Sequence, residues 1–246
     1  MKKAIFLSAV ALLALARPAQ ASFTYTFTEN AVIPDGSLVG AAFTHQLTEQ
    51  GPALPGAITD LNVTLNLSGG WNGDLYAYLV HSSGFTVLLN RVGRSGTSGP
   101  GYGDAGMDVK LDDLATVANG GLGDIHTYGT GPTTQDGTLA KSYTPDGRNV
   151  DPLTGNMTPL GHYDTALSSF NTLLGTGGWT LFVADVSGGG VSTLNSWTLE
   201  IAAVPEPASL IEGSVAVLFL GGVIGLYRLR TAKARPLPAA GIASQP

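Results

Sequence analysis

The stretch Ile58-Thr59-Asp60-Leu61-Asn62-Val63-Thr64-Leu65-Asn66-Leu67 alternates between apolar and polar side chains. Successive side chains of a β-strand point to opposite faces, so this pattern predicts a strand with one buried face and one exposed face. The buried face would carry Leu61, Val63, Leu65 and Leu67, and the exposed face Asp60, Asn62, Thr64 and Asn66. The strand is therefore expected in a sheet that covers a core on one side only.

Four further segments have the composition of strands, namely residues 74–81, 85–89, 179–185 and 194–201. The first and the last alternate again, whereas residues 179–185 are apolar at nearly every position, as in a strand buried on both faces. Glycine clusters such as Gly188-Gly189-Gly190 mark the turns between them. The fold class is therefore predicted as all-β, an antiparallel β-sandwich or jelly roll.

The middle of the chain, residues 93–160, is rich in Gly, Asp, Thr and Pro. It has one apolar patch, at residues 107–117. We expect long loops here around one or two strands, and such loops in a compact domain are often functional or mobile.

Composition excludes several classes of protein. The 246 residues include no Cys, which excludes a disulfide framework, an iron–sulfur centre, a thiolate zinc site and a Cys nucleophile. The 18 acidic and 12 basic residues give a net charge of −6, which argues against a nucleic-acid partner. A hydrophobic content of 43% excludes global disorder.

The N-terminus has the order of a secretory signal peptide, residues 1–21. Met1-Lys2-Lys3 precedes an apolar run at residues 4–16, and Ala19-Gln20-Ala21 follows. Export would use the Sec translocon, and signal peptidase would cleave after Ala21 to leave Ser22 as the first residue. The run is shorter than the span of about 20 residues that a bilayer needs, and an uncleaved anchor is the alternative.

The C-terminus carries a second hydrophobic segment. Val204-Pro205-Glu206-Pro207 interrupts regular structure, and residues 208–227 are then mostly apolar and long enough for a single transmembrane helix. A basic cluster over residues 228–235 would stop the chain with its C-terminus in the cytoplasm, and it consists of Arg228, Arg230, Lys233 and Arg235. Residues 236–246 are expected to be a disordered tail.

This order of Pro-Glu-Pro, apolar helix and arginine cluster over residues 204–235 resembles the PEP-CTERM sorting signal of Gram-negative, exopolysaccharide-producing bacteria. The resemblance implies recognition by a membrane protease-transpeptidase, exosortase, which removes the helix. The chain would cross the inner membrane, pass through a membrane-anchored intermediate and reach the cell surface or the extracellular space. A plain single-pass membrane anchor is the alternative.

Residues 22–203 resemble the P domain (P/Homo B domain) that follows the catalytic domain in kexin- and furin-like subtilases. The fairly specific blocks are Gly73-Asp74-Leu75-Tyr76-Ala77-Tyr78-Leu79, Gly178-Trp179-Thr180-Leu181-Phe182-Val183-Ala184-Asp185 and Leu194-Asn195-Ser196-Trp197-Thr198-Leu199. The resemblance covers residues 31–202, with Ile33-Pro34-Asp35-Gly36 before the first pairing segment, and it implies an eight-stranded, galactose-binding-like jelly roll. The chain departs from the family in lacking the histidine before the Gly-Asp-Leu block and in its enlarged, glycine-rich middle.

The residues that mark these blocks also have physical roles of their own. Asp74 can accept backbone N–H groups at its turn, as short carboxylates do. Trp179 and Trp197 are large apolar side chains that favour the core, where each indole N–H needs one partner. Asp185 ends the apolar segment 179–185.

No motif predicts an enzyme. The four histidines belong to no recognisable nucleophile motif, and neither G-x-S-x-G nor H-E-x-x-H occurs. Gly101-Tyr102-Gly103-Asp104-Ala105-Gly106 matches G-x-G-x-x-G, but it does not follow a predicted strand. Asp112 and Asp113 would point to opposite faces of a strand or belong to a loop, so they are poor partners for acid–base work.

Calcium is the one cofactor for which candidate ligands exist. Calcium takes six to eight oxygen ligands, often from loop Asp and Asn. Two oxygen-rich loops supply such residues, and the candidates are Asp104, Asp108, Asp146, Asn149 and Asp151. No complete D-x-[DN]-x-[DN]-G run occurs, so solvated turn acids are the competing interpretation.

The sequence thus favours a secreted, non-catalytic binding or structural module at the cell surface or in the extracellular matrix, with an exopolysaccharide or an envelope protein as its partner. The competing hypothesis is an accessory domain for a separately encoded subtilisin-like serine endopeptidase. Residues 22–203 hold 5 basic and 16 acidic residues, a net charge of −11, so the domain itself is strongly acidic.

Overall fold

The computed structural model describes residues 21–48, 57–82, 84–129, 138–157 and 164–203. These residues all lie in one compact unit of the chain, Met1–Pro205. Among them no helix is long and apolar enough to cross a membrane. The predicted transmembrane helix at residues 208–227 and the tail at residues 236–246 lie outside the described residues.

Nine strands occur in the described part of the chain. They are β1 (Ala21–Val32), β2 (Ser37–Leu47), β3 (Ile58–Gly69), β4 (Leu75–His81), β5 (Gly84–Asn90), β6 (Met107–Leu111), β7 (Leu139–Tyr143), β8 (Gly177–Asp185) and β9 (Ser192–Ala203). Short 3-10 turns lie at Asn72–Asp74, Val117–Asn119, Ile125–Thr127 and Leu167–Phe170. The prediction of an all-β fold is confirmed.

The strands form two sheets that enclose one core. The five-stranded sheet has the order β1-β9-β3-β6-β7, and the four-stranded sheet has the order β2-β8-β4-β5. Consecutive strands such as β1 and β2 lie in different sheets, so the chain crosses repeatedly between the layers. The coarse prediction of a β-sandwich is therefore confirmed.

The period-two pattern of β3 is confirmed residue by residue on its buried face. Val63 and Leu65 are fully buried, and Leu61 and Leu67 are 2% exposed. Trp197, Leu199 and Ile201 of the neighbouring β9 are also fully buried on the same side of the sheet. One-sided burial of apolar side chains is the driving force that aligns these two central strands.

Four details of the sequence-based prediction were wrong. The turn Ile33-Pro34-Asp35-Gly36 does not precede the first paired segment, because β1 lies before it and pairs with β9. The sandwich is not wholly antiparallel, since β6 and β7 run parallel. Strand β8 is not buried along the whole of both faces, because Thr180 and Phe182 are partly exposed on the outward face, where Ala184 is fully buried. The described residues form nine strands, whereas the family resemblance implies eight.

The first and last residues of the folded domain lie next to each other at one end of the sandwich. Strands β1 and β9 are antiparallel, and Ala21 is the register partner of Ala203. The opposite end holds the turn between β1 and β2, where the Gly189 N–H donates to Asp35 Oδ2 at 3.3 Å. The two boundaries that the sequence predicts for the domain therefore lie side by side.

Candidate functional site

A network of buried, paired charges lies in the described part of the domain. Asp146 Oδ1 accepts from Arg148 Nη1 at 3.0 Å, and Asp146 Oδ2 lies 2.7 Å from His126 Nδ1. Arg148 Nη2 donates to Asp124 Oδ2 at 2.7 Å. Asp146 is 0% exposed, Arg148 1% and His126 2%. Buried charges are tolerated where they are paired in this way.

The geometry of His126 makes it a structural cation. Its Nε2 lies 2.8 Å from the carbonyl oxygen of Arg94, an acceptor, so both ring nitrogens face groups to which they must donate. Burial opposes the charged ring, but the hydrogen bond and charge of Asp146 outweigh it, and the pKa of His126 is raised. A general base would need a free nitrogen facing a nucleophile, and this ring has none.

The same network fastens the loops of the glycine-rich middle to β5. Asn90 Nδ2 donates to the carbonyl oxygens of Arg148 at 2.9 Å and Val150 at 3.0 Å. Arg94 Nη2 donates to the carbonyl oxygen of Leu153 at 2.7 Å. These bonds give buried carbonyl groups the partners that folding requires.

The sequence did not predict this network. The sequence feature that could have indicated it is the position of the arginines. Residues 22–203 contain five basic residues, and three of them, Arg91, Arg94 and Arg148, lie in or beside the loop-rich middle. Arginines that are this scarce and lie among Asp and Gly indicate buried pairing rather than a charged surface.

Two calcium candidates, Asp104 and Asp108, lie near the start of β6. Asp104 Oδ2 accepts from the Tyr128 hydroxyl at 2.7 Å and from Asn72 Nδ2 at 3.3 Å. Asp108 is exposed on β6. The Asp104 carboxylate therefore anchors a tyrosine and an amide.

The other three calcium candidates, Asp146, Asn149 and Asp151, lie in different surroundings. Asp146 belongs to the buried network, and Asn149 is exposed. Asp151 Oδ1 accepts the backbone N–H of Leu153 at 2.7 Å and of Thr154 at 3.2 Å, and these bonds lower its pKa. Within the described ranges, no group of three or more His, Asp or Glu side chains could hold a metal ion.

Asp74 and Asp185 come together at the end of the sandwich that carries the β1–β2 turn. Asp185 Oδ2 accepts from Ser192 Oγ at 2.9 Å, and Asp74 Oδ1 accepts from Arg91 Nη2 at 3.3 Å. Burial raises the pKa of both carboxyl groups. The Asp74 side chain thus accepts from the guanidinium of Arg91, whereas the sequence predicted backbone N–H groups as donors.

The two tryptophans lie in the core with their N–H groups partnered. Trp179 is fully buried, donates to the Gly175 carbonyl oxygen at 2.9 Å, and stacks on His81 with ring centroids 4.1 Å apart. Trp197 is fully buried and donates to Glu29 Oε1 at 3.0 Å. Both residues therefore pack the fold and offer no surface to a ligand.

An open cleft of about 310 Å³ lies on the domain surface and is lined by Asp113, Thr116, Thr144, Pro145, Thr165 and Ala166. Its one acidic residue is Asp113, whose carboxylate accepts the backbone N–H groups of Leu167 at 3.0 Å and Ser168 at 2.8 Å. These bonds give each carboxylate oxygen a backbone donor, so Asp113 positions the turn Leu167–Phe170 beside the cleft.

The export and sorting residues fall mainly outside the described residues. Ala21 and Ser22 begin β1, whereas Ala19, the motif Val204-Pro205-Glu206-Pro207 and the basic cluster at residues 228–235 are not described. Strand β9 ends at Ala203, immediately before that motif.

No protein-family model matches the chain, and no curated protein matches it. Among solved structures, the chain is similar to a serine protease of Aeromonas sobria, with 15% identity and a TM-score of 0.40. The similarity covers 76% of this chain and 28% of that protein's length.

Proposed function

We propose that this chain is an exported surface or matrix protein whose domain, residues 22–203, is a non-catalytic binding or structural module. The observation that carries the proposal is the position of the domain boundaries. Residues 22–203 lie between a segment with the order of a signal peptide and a segment with the order of a sorting signal. The pairing of Ala21 with Ala203 supports the proposal, because the two predicted signal segments then join the domain at the same end of the sandwich.

We infer a non-catalytic module from the geometry of the buried network. His126 lies against an acidic partner, as in a catalytic pair, but its second nitrogen faces the Arg94 carbonyl oxygen and not a hydroxyl nucleophile. No other Asp–His or Glu–His pair in the described residues is buried, since His45 beside Glu29 is 34% exposed. We therefore infer a structural role for the charged interior.

Sorting follows the PEP-CTERM resemblance. The Sec translocon and signal peptidase would act on residues 1–21, and exosortase would act at Val204-Pro205-Glu206-Pro207 and remove residues 208–227. The finer fold in this proposal is the galactose-binding-like jelly roll of a P domain.

Calcium is no part of the proposal, because the candidate ligands Asp104, Asp146 and Asp151 have protein partners.

The experiment is mass spectrometry of both ends of the mature protein in a producing cell. The expected protein begins at Ser22 and lacks residues 208–227. Pro205→Ala and Glu206→Ala should abolish the C-terminal processing, and Pro236→Ala, a proline change beyond the basic cluster, should leave it intact. A wild-type protein that keeps residues 208–227 would contradict sorting and establish the plain single-pass anchor.

A pull-down from envelope extract distinguishes the surface-module proposal from the hypothesis of a protease-accessory domain. Retention by polysaccharide supports the surface module. A stoichiometric subtilisin-like partner would instead establish the protease-accessory function.

A further inference from the structure

The two outer faces of the sandwich differ in chemistry. The outer face of the five-stranded sheet is polar and charged, with Lys110 Nζ 2.6 Å from Glu200 Oε2. The hydroxyl groups of Thr26 and Thr198 on neighbouring strands lie 2.9 Å apart on this face. This is the usual solvated surface of an antiparallel sheet.

The outer face of the four-stranded sheet instead carries four aromatic rings. Tyr78 is central: its ring stacks on Phe182 at 4.7 Å with an interplanar angle of 16°, and lies 5.4 Å from Phe85 and 5.8 Å from Tyr76. All four side chains are partly exposed, while their strand neighbours Ala77 and Leu79 are fully buried on the opposite side. We call these four residues the aromatic face.

The strand residues around the aromatic face are uncharged, and the Asp151 carboxylate of a neighbouring loop lies near Tyr76. The other outward residues of these strands in its surroundings are Ala42, Thr44, Gln46, Gly178, Thr180 and Val80. Thr44 and Thr180 share a hydrogen bond of 2.8 Å between their hydroxyl groups. Thus, in a domain with 16 acidic residues, the strand residues of this sheet face combine rings and hydroxyl groups and carry no charge of their own.

The four rings are partly exposed at the surface. The backbone of Gly40 packs against Phe182, and a Cβ there would lie 2.6 Å from Phe182 Cζ. Burial, Tyr78 and the Asp151 carboxylate raise the pKa of Tyr76, so its hydroxyl group stays neutral and able to donate.

We propose that the aromatic face binds a neutral polysaccharide. Resting on the proposed function, this inference names the ligand class and the site of the surface module. The C–H face of a pyranose ring is apolar and can contact aromatic side chains, while its hydroxyl groups can form hydrogen bonds with the threonine, glutamine and tyrosine side chains around them.

The negative charge of the domain favours a neutral polysaccharide over an anionic one. A polymer of uronic acids or sulfated sugars would meet a domain of net charge −11, with Asp151 beside Tyr76. A neutral polymer buries no ion on this face, so it avoids the desolvation that opposes charged ligands.

The test uses the full chain purified in a detergent without sugar groups, mixed with microcrystalline cellulose, galactomannan and dextran as neutral polymers and with alginate as the anionic polymer. We expect binding to at least one neutral polymer, weak or absent binding to alginate, and a loss of about ten-fold or more for Tyr78→Ala and Phe182→Ala. Tyr78→Phe keeps the ring and should retain binding within a few-fold.

Trp71→Ala removes an exposed aromatic side chain outside the aromatic face and should bind like the wild type. Circular dichroism and melting midpoints identify any variant that loses binding by unfolding, and for such a variant Tyr78→Leu replaces Tyr78→Ala. The inference is overturned if no neutral polymer binds, if alginate binds best, or if folded Tyr78 and Phe182 variants bind unchanged. Because the mature ends are measured separately by mass spectrometry, failure of sorting and failure of glycan binding are distinguishable.

Discussion

The imidazole Nδ1 of His126 lies 2.7 Å from the Asp146 carboxylate in an interior where neither side chain is more than 3% exposed. The ion pair links the 3-10 turn Ile125–Thr127 to the loop that follows β7. Its charge state therefore matters to the stability of the whole glycine-rich middle.

The raised pKa of His126 predicts stability that declines as pH rises. In the unfolded chain the ring titrates near 6.5, and in the folded domain it keeps its proton to higher pH. The stabilisation is therefore complete below pH 6.5 and disappears as pH passes the folded-state pKa. Melting midpoints between about pH 5 and about pH 8 should fall for the wild type and stay flatter for His126→Gln. Parallel curves for the two proteins would contradict this role.

Arg148 should be essential for folding stability. Arg148→Met leaves Asp124 and Asp146 without their guanidinium, and the expected loss in the free energy of unfolding is about 3–5 kcal/mol. Lys110→Met is the control, because its pair with Glu200 is about one-third exposed and should contribute less than about 1 kcal/mol. Denaturant titration of both variants measures the difference, and equal losses would refute the assignment.

Glu29 should stabilise the core through Trp197. Its Oε1 accepts from Trp197 Nε1 at 3.0 Å and lies 2.7 Å from His45 Nε2. Glu29→Ala leaves the indole N–H unpartnered and should lower the free energy of unfolding by about 1–3 kcal/mol. Glu29→Gln keeps an acceptor and should retain most of that stability. Tryptophan fluorescence during denaturation reports both, and the interpretation fails if the amide is as damaging as alanine.

Gly101 should tolerate no side chain. A Cβ there would lie 2.5 Å from Gly73 Cα and would also meet the carbonyl oxygen of Val92, and both are backbone atoms that cannot move aside. Gly101→Ala should therefore destabilise the domain by about 1–3 kcal/mol. Gly103→Ala meets nothing within 4 Å and is the matched control within the same G-x-G-x-x-G match. Equal melting midpoints for the two variants would contradict this packing constraint.

Calcium should leave the melting midpoint of residues 22–203 unchanged. The Asp104, Asp146 and Asp151 carboxylates already accept hydrogen bonds from side chains or backbone, and Arg148 places a cation against Asp146. Thermal melts with calcium and with chelator measure this. A midpoint that rises with calcium would contradict this prediction and show that the domain binds calcium.

The strands were predictable because one-sided burial imposes a local pattern. Leu61, Val63, Leu65 and Leu67 repeat every second residue, and this spacing alone selects a half-buried strand. Strand β1 carries the same alternation with partly buried Phe23, Tyr25 and Phe27. It was missed because it directly follows the signal peptide and precedes the region of family resemblance.

The parallel pairing of β6 and β7 was not predictable from local pattern. The two strands are five residues each and residues 112–138 lie between them in the sequence, so the route of the chain decides their relative direction. The His126–Asp146 and Arg148–Asp124 pairs share this difficulty, because they depend on how loops distant in sequence fold over β5. Composition showed scarce arginines among acidic loops but could not assign their partners.

The pairing of Ala21 with Ala203 has a consequence for protein engineering. Because the two chain boundaries are neighbours on adjacent strands, residues 21–203 could replace a surface turn in another protein without forcing the host's strands apart. For the same reason, a short peptide linking these two ends would permit circular permutation. New ends would then suit the exposed glycines Gly188 and Gly189, where no neighbouring atom lies within 4 Å of a Cβ.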